Sequence, residues 1–256
     1  MKKSISQRRL EKVMYEHFLW LKDPKKGKCA DLSNYDLTGM NLARKNLRQA
    51  NFEGAVFRHS NLSKSDFSMA NFSGANFNGA ILVQTKMRSS LLNRTIFVGS
   101  ICEEIDFSYS QFSSSDASKA YMRNCKFVGC VMKSSRFDQS CMIASNFTKA
   151  ILSDSSFIGT NLSFAIMQKV KAKKINARDC KLIGADLRDA DLRESDFQRA
   201  KIDKASFLNA KVEGICCNQK INTLPVSVNE NSLTLLVLDC AEKTIKKMKQ
   251  AYVIAR

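Results

Sequence analysis

Between residues 32 and 217 an apolar residue stands at every fifth position, 38 times in succession without an insertion. These central positions hold 14 Phe, 12 Leu, five Met, three Ala, two Cys, one Ile and one Val. A period of five matches neither the 3.6 of a helix nor the 2 of a strand. The other phases are equally selective. Two residues before the centre the side chain is Ala, Ser, Thr or Cys in 31 of 38 repeats. The residue just before the centre is Asp or Asn in 17, and nine of the ten Gly lie two after it. Glycine held to one phase predicts a turn with positive φ. Asp or Asn beside that turn predicts a side chain accepting from nearby backbone amides.

One large inward residue, one small inward residue and a tight turn every five residues make the chain coil. Stacked coils pair their backbones and pile like side chains into ladders about 4.8 Å apart. Sorting the centres by residue number modulo 20 separates the Phe. The column headed by Leu37 has six, that of Leu47 five, that of Leu32 three and that of Leu42 none. This supports four repeats per coil, with the Phe-rich faces opposite each other.

The repeat divides the chain into 1–29, 30–219 and 220–256, and both Pro and the only Trp lie outside it. Residues 4–21 read as an amphipathic helix, with Ser4 and Gln7 at capping-box spacing. Its apolar face, Leu10, Val13, Met14, Phe18 and Leu21, is expected to cap the first coil, whose open edge otherwise invites aggregation. A basic lead-in follows. At the other end, 232–252 reads as a helix with the seam Leu238, Ala241, Ile245, Met248 and Tyr252. That seam could cap the last coil or pair with a second copy, and 233–238 could instead be a short strand.

Stretches such as Ala30-Asp-Leu-Ser-Asn, Ala50-Asn-Phe-Glu-Gly, Ala70-Asn-Phe-Ser-Gly and Ala185-Asp-Leu-Arg-Asp resemble the pentapeptide-repeat family, whose consensus is A(D/N)LXX. The resemblance spans 190 of 256 residues. It implies an all-β solenoid, a right-handed quadrilateral parallel β-helix with an N-terminal capping helix and a C-terminal helix. At four repeats per coil, 38 repeats would make a rod of about 45 Å. The resemblance also implies a bacterial or phage source. Topoisomerase-interacting relatives dimerise through their C-terminal segments, which raises the homodimer reading.

Composition adds one functional clue. Lys plus Arg number 41 against 24 Asp plus Glu, a net charge of +17. Such a surplus favours anionic partners. Within the repeat, the adjacent Leu42 and Leu47 faces carry 13 basic and 7 acidic outward residues, and the other two faces 12 and 11. The densest run is Lys169, Lys171, Lys173, Lys174, Arg178 and Lys181, over the small centres Ala172 and Ala177. It reads either as a binding site on a distorted coil or as a solvated, drifted repeat.

Catalysis has little to stand on. There is no phosphate loop or nucleophile elbow, and only two His, His17 and His59, are present. Nine Cys without a CxxC pair or zinc-ligand spacing predict a reduced, cytoplasmic setting. The N-terminus lacks the apolar core of a signal peptide, and no apolar run near either end approaches the ~20 residues of a membrane span. No cofactor or metal is expected. The leading reading is a non-enzymatic scaffold meeting an acidic protein or other anionic partner. A topoisomerase regulator of the Qnr or MfpA type is the first alternative, although +17 is a poor imitation of DNA. Non-specific nucleic-acid binding is the second; outward aromatics that could stack on bases are few (Tyr109, Tyr121, Phe164).

Overall fold

The computed structural model describes residues 2–219 and 221. Its backbone pairs each residue before a centre with the residue 20 later, in parallel, from Asp31↔Asn51 to Asp191↔Lys211. Each coil is therefore 20 residues and four repeats long, as the Phe columns suggested. The pairing is local: Leu32 N–H donates to Asn51 C=O (2.8 Å) and Asn51 N–H to Ala30 C=O (2.9 Å). Only the ends carry two-residue strands. These are β1 (Lys3–Ser4), β2 (Tyr35–Asp36), β3 (Asp196–Phe197) and β4 (Cys216–Cys217).

The first 37 repeats turn the same way. All positions ending in 4 or 9 from 34 to 214 have positive φ, the nine Gly at 62–70° and the other residues at 54–65°. A single positive φ with the Phe52 C=O···H–N Ala55 bond (3.0 Å) is the type II arrangement. All 17 Asp or Asn that precede a centre accept, through Oδ1, the amide two residues on. This bond presets the turn and offsets part of the cost of left-handed backbone at residues with a side chain.

All 38 centres are buried. The Phe stack coil on coil, as Phe57–Phe77 (4.9 Å between centroids, 3°) and Phe77–Phe97 (4.5 Å, 9°) do, and meet neighbouring columns edge-on, as in Phe52–Phe57 (61°). The interior is too narrow for a second large residue, so the small phase faces it. Hydroxyls are accepted there because most find a backbone carbonyl 23 residues back: Ser60 donates to Leu37 (2.6 Å), Ser110 to Met87 (2.6 Å) and Ser155 to Met132 (2.7 Å), whereas Thr95 and Ser100 donate to Leu92 and Phe97 in their own repeat. The first coil departs from this rule. Tyr35 and Met40 are only partly buried and Lys45 is exposed, although its phase points inward. No coil lies before them to close the slot.

The N-terminal cap differs from expectation in two respects. Ser4 is drawn into β1, which pairs with β2 (Lys3↔Tyr35, Ser4↔Asp36) and so covers part of the first coil's open edge. The helix α1 accordingly runs Gln7–Lys22, and Ser6 is the N-cap, its Oγ accepting from Arg9 N–H at 3.3 Å. The face is also rotated. Leu10 and Met14 are buried, Val13 is partly buried against the core and Leu21 is half-buried, but Phe18 points outward at 44% exposure. His17, fully buried, takes its place. Its Nδ1 accepts the Ala30 N–H at 3.0 Å, a donor at the entry to the repeat that a Phe ring could not satisfy. The seam Leu238, Ala241, Ile245, Met248 and Tyr252 lies outside the described residues.

Candidate interaction surface

The coil leaves three outward positions per repeat: the residue before each centre and the two turn residues. Several outward aromatics are clamped rather than loose. Phe164 lies over Gly184 and Tyr109 over Gly129 one coil on, close enough that a Cβ on either Gly would approach ring carbons to 2.9 and 2.8 Å. Glycine there provides space for the ring. Tyr109 and Phe164 are still 57% and 63% exposed, so each offers a fixed apolar surface.

Ion pairing divides the charges more sharply than counting does. On the Leu37 face Arg136, Arg178 and Arg199 are paired with Asp138, Asp196 and Asp179. On the Leu32 face Lys173 and Lys174 share Glu194, and Arg193 holds Asp191. Among the described residues, these two faces leave six unpaired cations (Arg58, Lys119, Arg94, Lys133, Lys171, Lys211) against six unpaired carboxylates (Asp31, Glu53, Asp154, Glu213, Asp36, Asp116). The Leu42 and Leu47 faces pair only Arg88 with Asp106 and Arg188 with Asp186. Among the described residues they leave eleven cations free of ion pairs: Arg44, Lys64, Arg123, Lys181, Lys201 and Lys204 on the first, and Arg48, Lys86, Lys126, Lys149 and Lys169 on the second. Five carboxylates oppose them (Asp66, Glu103, Glu104, Asp189, Asp203). The Arg188 guanidinium, with Gln168, holds the Asp186 carboxyl down at about 2, so that charge is committed to its pair.

These two faces begin at a cleft of about 390 Å³ between α1 and the first coil. It is lined by Glu11, Met14, Tyr15, Phe18, Arg44, Lys45 and Asn46. Tyr15 and Phe18 stack at 6.5 Å, and the Lys22 ammonium sits 4.3 Å from the Phe18 ring centroid. Sequence reasoning missed this cleft because it assigned Phe18 to the cap face. One signal was available: Lys45 is the only charged residue on the small phase.

The six basic residues picked out by density do not converge. Residues 169–181 cover more than half a coil, so Lys169 falls on the Leu47 face, Lys171, Lys173 and Lys174 on the Leu32 face, Arg178 on the Leu37 face and Lys181 on the Leu42 face. The coil there is not distorted. Its bridges continue, Ala172 and Ala177 are buried, and Lys169, Lys174 and Asp179 keep φ near 57–61°.

The buried thiols are chemically quiet. Burial pushes Cys102, Cys130 and Cys180 up to about 12, and Cys125 is raised in the same way. Among the described residues no group of three or more His, Cys, Asp or Glu is placed to hold a metal ion, and no helix is long and apolar enough to cross a membrane.

A 20-residue coil with ladders inside and patterned side chains outside defines a solenoid. The sequence comparisons identify which. The family descriptions "Pentapeptide repeats (8 copies)" and "Pentapeptide repeat region" match residues 30–68, 70–101 and 105–142, and residues 130–207. The chain belongs to the pentapeptide-repeat family, whose fold is the right-handed quadrilateral β-helix. Among solved structures it is similar to HetL, a pentapeptide repeat protein involved in heterocyst differentiation regulation from the cyanobacterium Nostoc sp. strain PCC 7120. Identity is 20% over 77% of this chain and 94% of that one, with a TM-score of 0.61. A second similar structure is QnrB1, a plasmid-mediated fluoroquinolone resistance protein, at 19% identity over 78% of this chain and 95% of that one, TM-score 0.41. No curated protein matches by sequence.

Proposed function

We propose that this protein is a non-enzymatic binding scaffold whose Leu42 and Leu47 faces meet an acidic protein. The observation that carries this reading is the partition of free charge. Among the described residues, eleven cations without an ion pair face five such carboxylates on these two adjacent faces, while the other two faces balance at six and six. A one-sided field steers an anionic partner and sets its orientation. Of the dense run, Lys169 and Lys181 belong to this surface, and Lys171, Lys173, Lys174 and Arg178 do not.

The test compares two triple reversals of equal net charge. Lys64→Glu, Lys126→Glu and Lys201→Glu lie on the proposed faces, and Arg58→Glu, Lys119→Glu and Lys133→Glu on the others. Binding to immobilised polyglutamate at low salt is expected to fall at least about tenfold more in the first set. Equal losses in both sets would mean that net charge alone acts, and would refute the reading. Two controls bear on the alternatives. Duplex DNA binding as tight and salt-dependent as polyglutamate binding would favour nucleic acid instead. Inhibition or protection in a gyrase supercoiling assay would favour a topoisomerase.

A further inference from the structure

The Leu42 face carries a second pattern that charge alone does not explain. Its residues before the centres run Ile81, Ile101, Tyr121, Cys141 in consecutive coils, each bridged to the next. Ile81, Ile101 and Tyr121 are 39%, 41% and 57% exposed. On the other three faces the same phase is broken by charged or amide residues in these coils: Gln111 on the Leu32 face, Asp116 and Arg136 on the Leu37 face, Lys86, Asp106 and Lys126 on the Leu47 face. Phe164, clamped over Gly184, carries apolar surface one coil further along the adjoining corner.

Both ends of this strip are cationic. Arg44 and Lys64 lie before it and Lys181, Lys201 and Lys204 after it, none with an ion pair among the described residues. Asp203 is the one carboxylate of the repeat at either end of this face, and Glu11 of α1 lines the cleft beside Arg44. The middle holds Glu103, Glu104 and Arg123, with Glu104 accepting from Gln84 at 2.9 Å. Charge thus runs positive, near neutral, positive over an apolar centre.

We infer that this face docks an acidic amphipathic helix: a segment of another protein with carboxylates at both ends and apolar residues between. The inference rests on the basic-face reading and adds the shape of the partner. Six coil steps separate Lys64 from the coil of Lys181, about 29 Å at the inter-strand spacing. A helix of about 20 residues spans that length. A second copy of this chain does not fit. Whether laid parallel or antiparallel on the same face, it brings cationic ends against cationic ends. The clamped Phe164 ring and the hydrogen-bonded coil lower the ordering cost of binding on this side.

The probe is a synthetic 20-residue helix-forming peptide with Glu at both ends and a central Ile/Leu/Phe stripe, beside a scrambled peptide of the same composition. Binding is read by fluorescence anisotropy. The patterned peptide is expected to bind at least about tenfold tighter than the scrambled one, with that preference lost in Ile101→Thr/Tyr121→Ser. Both substitutions are outward, and Thr keeps strand propensity, so an unchanged circular-dichroism melt verifies the coil. If both peptides bind equally and respond only to salt and to Lys64→Glu/Lys201→Glu, the docking strip is wrong while the basic-face reading stands. If neither peptide nor polyglutamate binds at low salt, the basic-face reading itself fails. Sedimentation that shows a dimer dispersed by Tyr121→Ser would overturn the inference in favour of a second copy.

Discussion

Gly27 is the one glycine outside the repeat, and its substitution tests how the cap is attached. Its backbone crosses α1 so closely that an added Cβ would overlap the Glu16 carbonyl oxygen and the Trp20 amide nitrogen, and would sit 2.8 Å from Leu19 Cβ. Two of these three atoms are helix backbone and cannot rotate away, so in Gly27→Ala the crossing segment must lift off. Lifting it lengthens the Lys28 N–H···O=C Glu16 bond (3.1 Å) and pulls on the Ala30 N–H that His17 accepts (3.0 Å). Overpacking costs about 1–3 kcal/mol and each of the two lost hydrogen bonds about 1 kcal/mol, so the docked cap should lose about 3–5 kcal/mol. The coil should lose almost nothing, because repeats are stabilised by their nearest neighbours. Trp20, the only Trp, lies on the His17 ring (5.4 Å between centroids), so its emission reports the cap alone. Gly27→Ala should red-shift Trp20 emission and speed exchange of α1 amides, with amides between residues 90 and 180 unchanged. Unchanged emission and α1 protection would refute the crossing contact as the attachment. Equal loosening throughout would refute the independence of cap and coil.

Three further outcomes follow from the same geometry. Burial holds His17 below its ordinary pKa of 6.5, outweighing a weak pull from the Arg48 carbonyl, and its accepted Ala30 bond requires the neutral ring. The cap is therefore fully stable above 6.5 and loses stability as pH falls from there through the lowered folded value; Trp20 emission titrated from pH 8 to 5 should show this, and His17→Gln should abolish it. Phe97→Ala, deep in the Leu37 column, should cost about 3–5 kcal/mol in denaturant unfolding, while the neighbouring outward Ile96→Thr should stay within about 0.5 kcal/mol. Under native conditions at pH 8, the half-buried Cys29, Cys141 and Cys216 should be alkylated before the buried thiols, with Cys102, Cys130 and Cys180, pushed up to about 12, unlabelled when peptides are mapped by mass spectrometry.

The coil was legible in the sequence because its determinants are local and repeated. An inward Phe or Leu, an Asx oxygen on the amide two residues on, and one left-handed residue per turn each act within five residues, and repetition makes the period unmistakable. Even the number of repeats per coil showed in the Phe columns, since aromatic stacking occurs between residues 20 apart. Ser4 and Phe18 were misread where that periodicity stops. There the backbone edge of the first coil recruits Ser4 into a strand, and one buried amide selects His17 over Phe18. The charge pattern lay between these cases. The lysine-rich run from Lys169 to Lys181 is dense along the chain, yet the 20-residue coil spreads it over four faces and ties Lys173, Lys174 and Arg178 to carboxylates about one coil on. Sequence alone determined the solenoid, its core and its net +17. Tertiary structure decided which cations remain free and which outward side chains line up, because those depend on neighbours a full coil away.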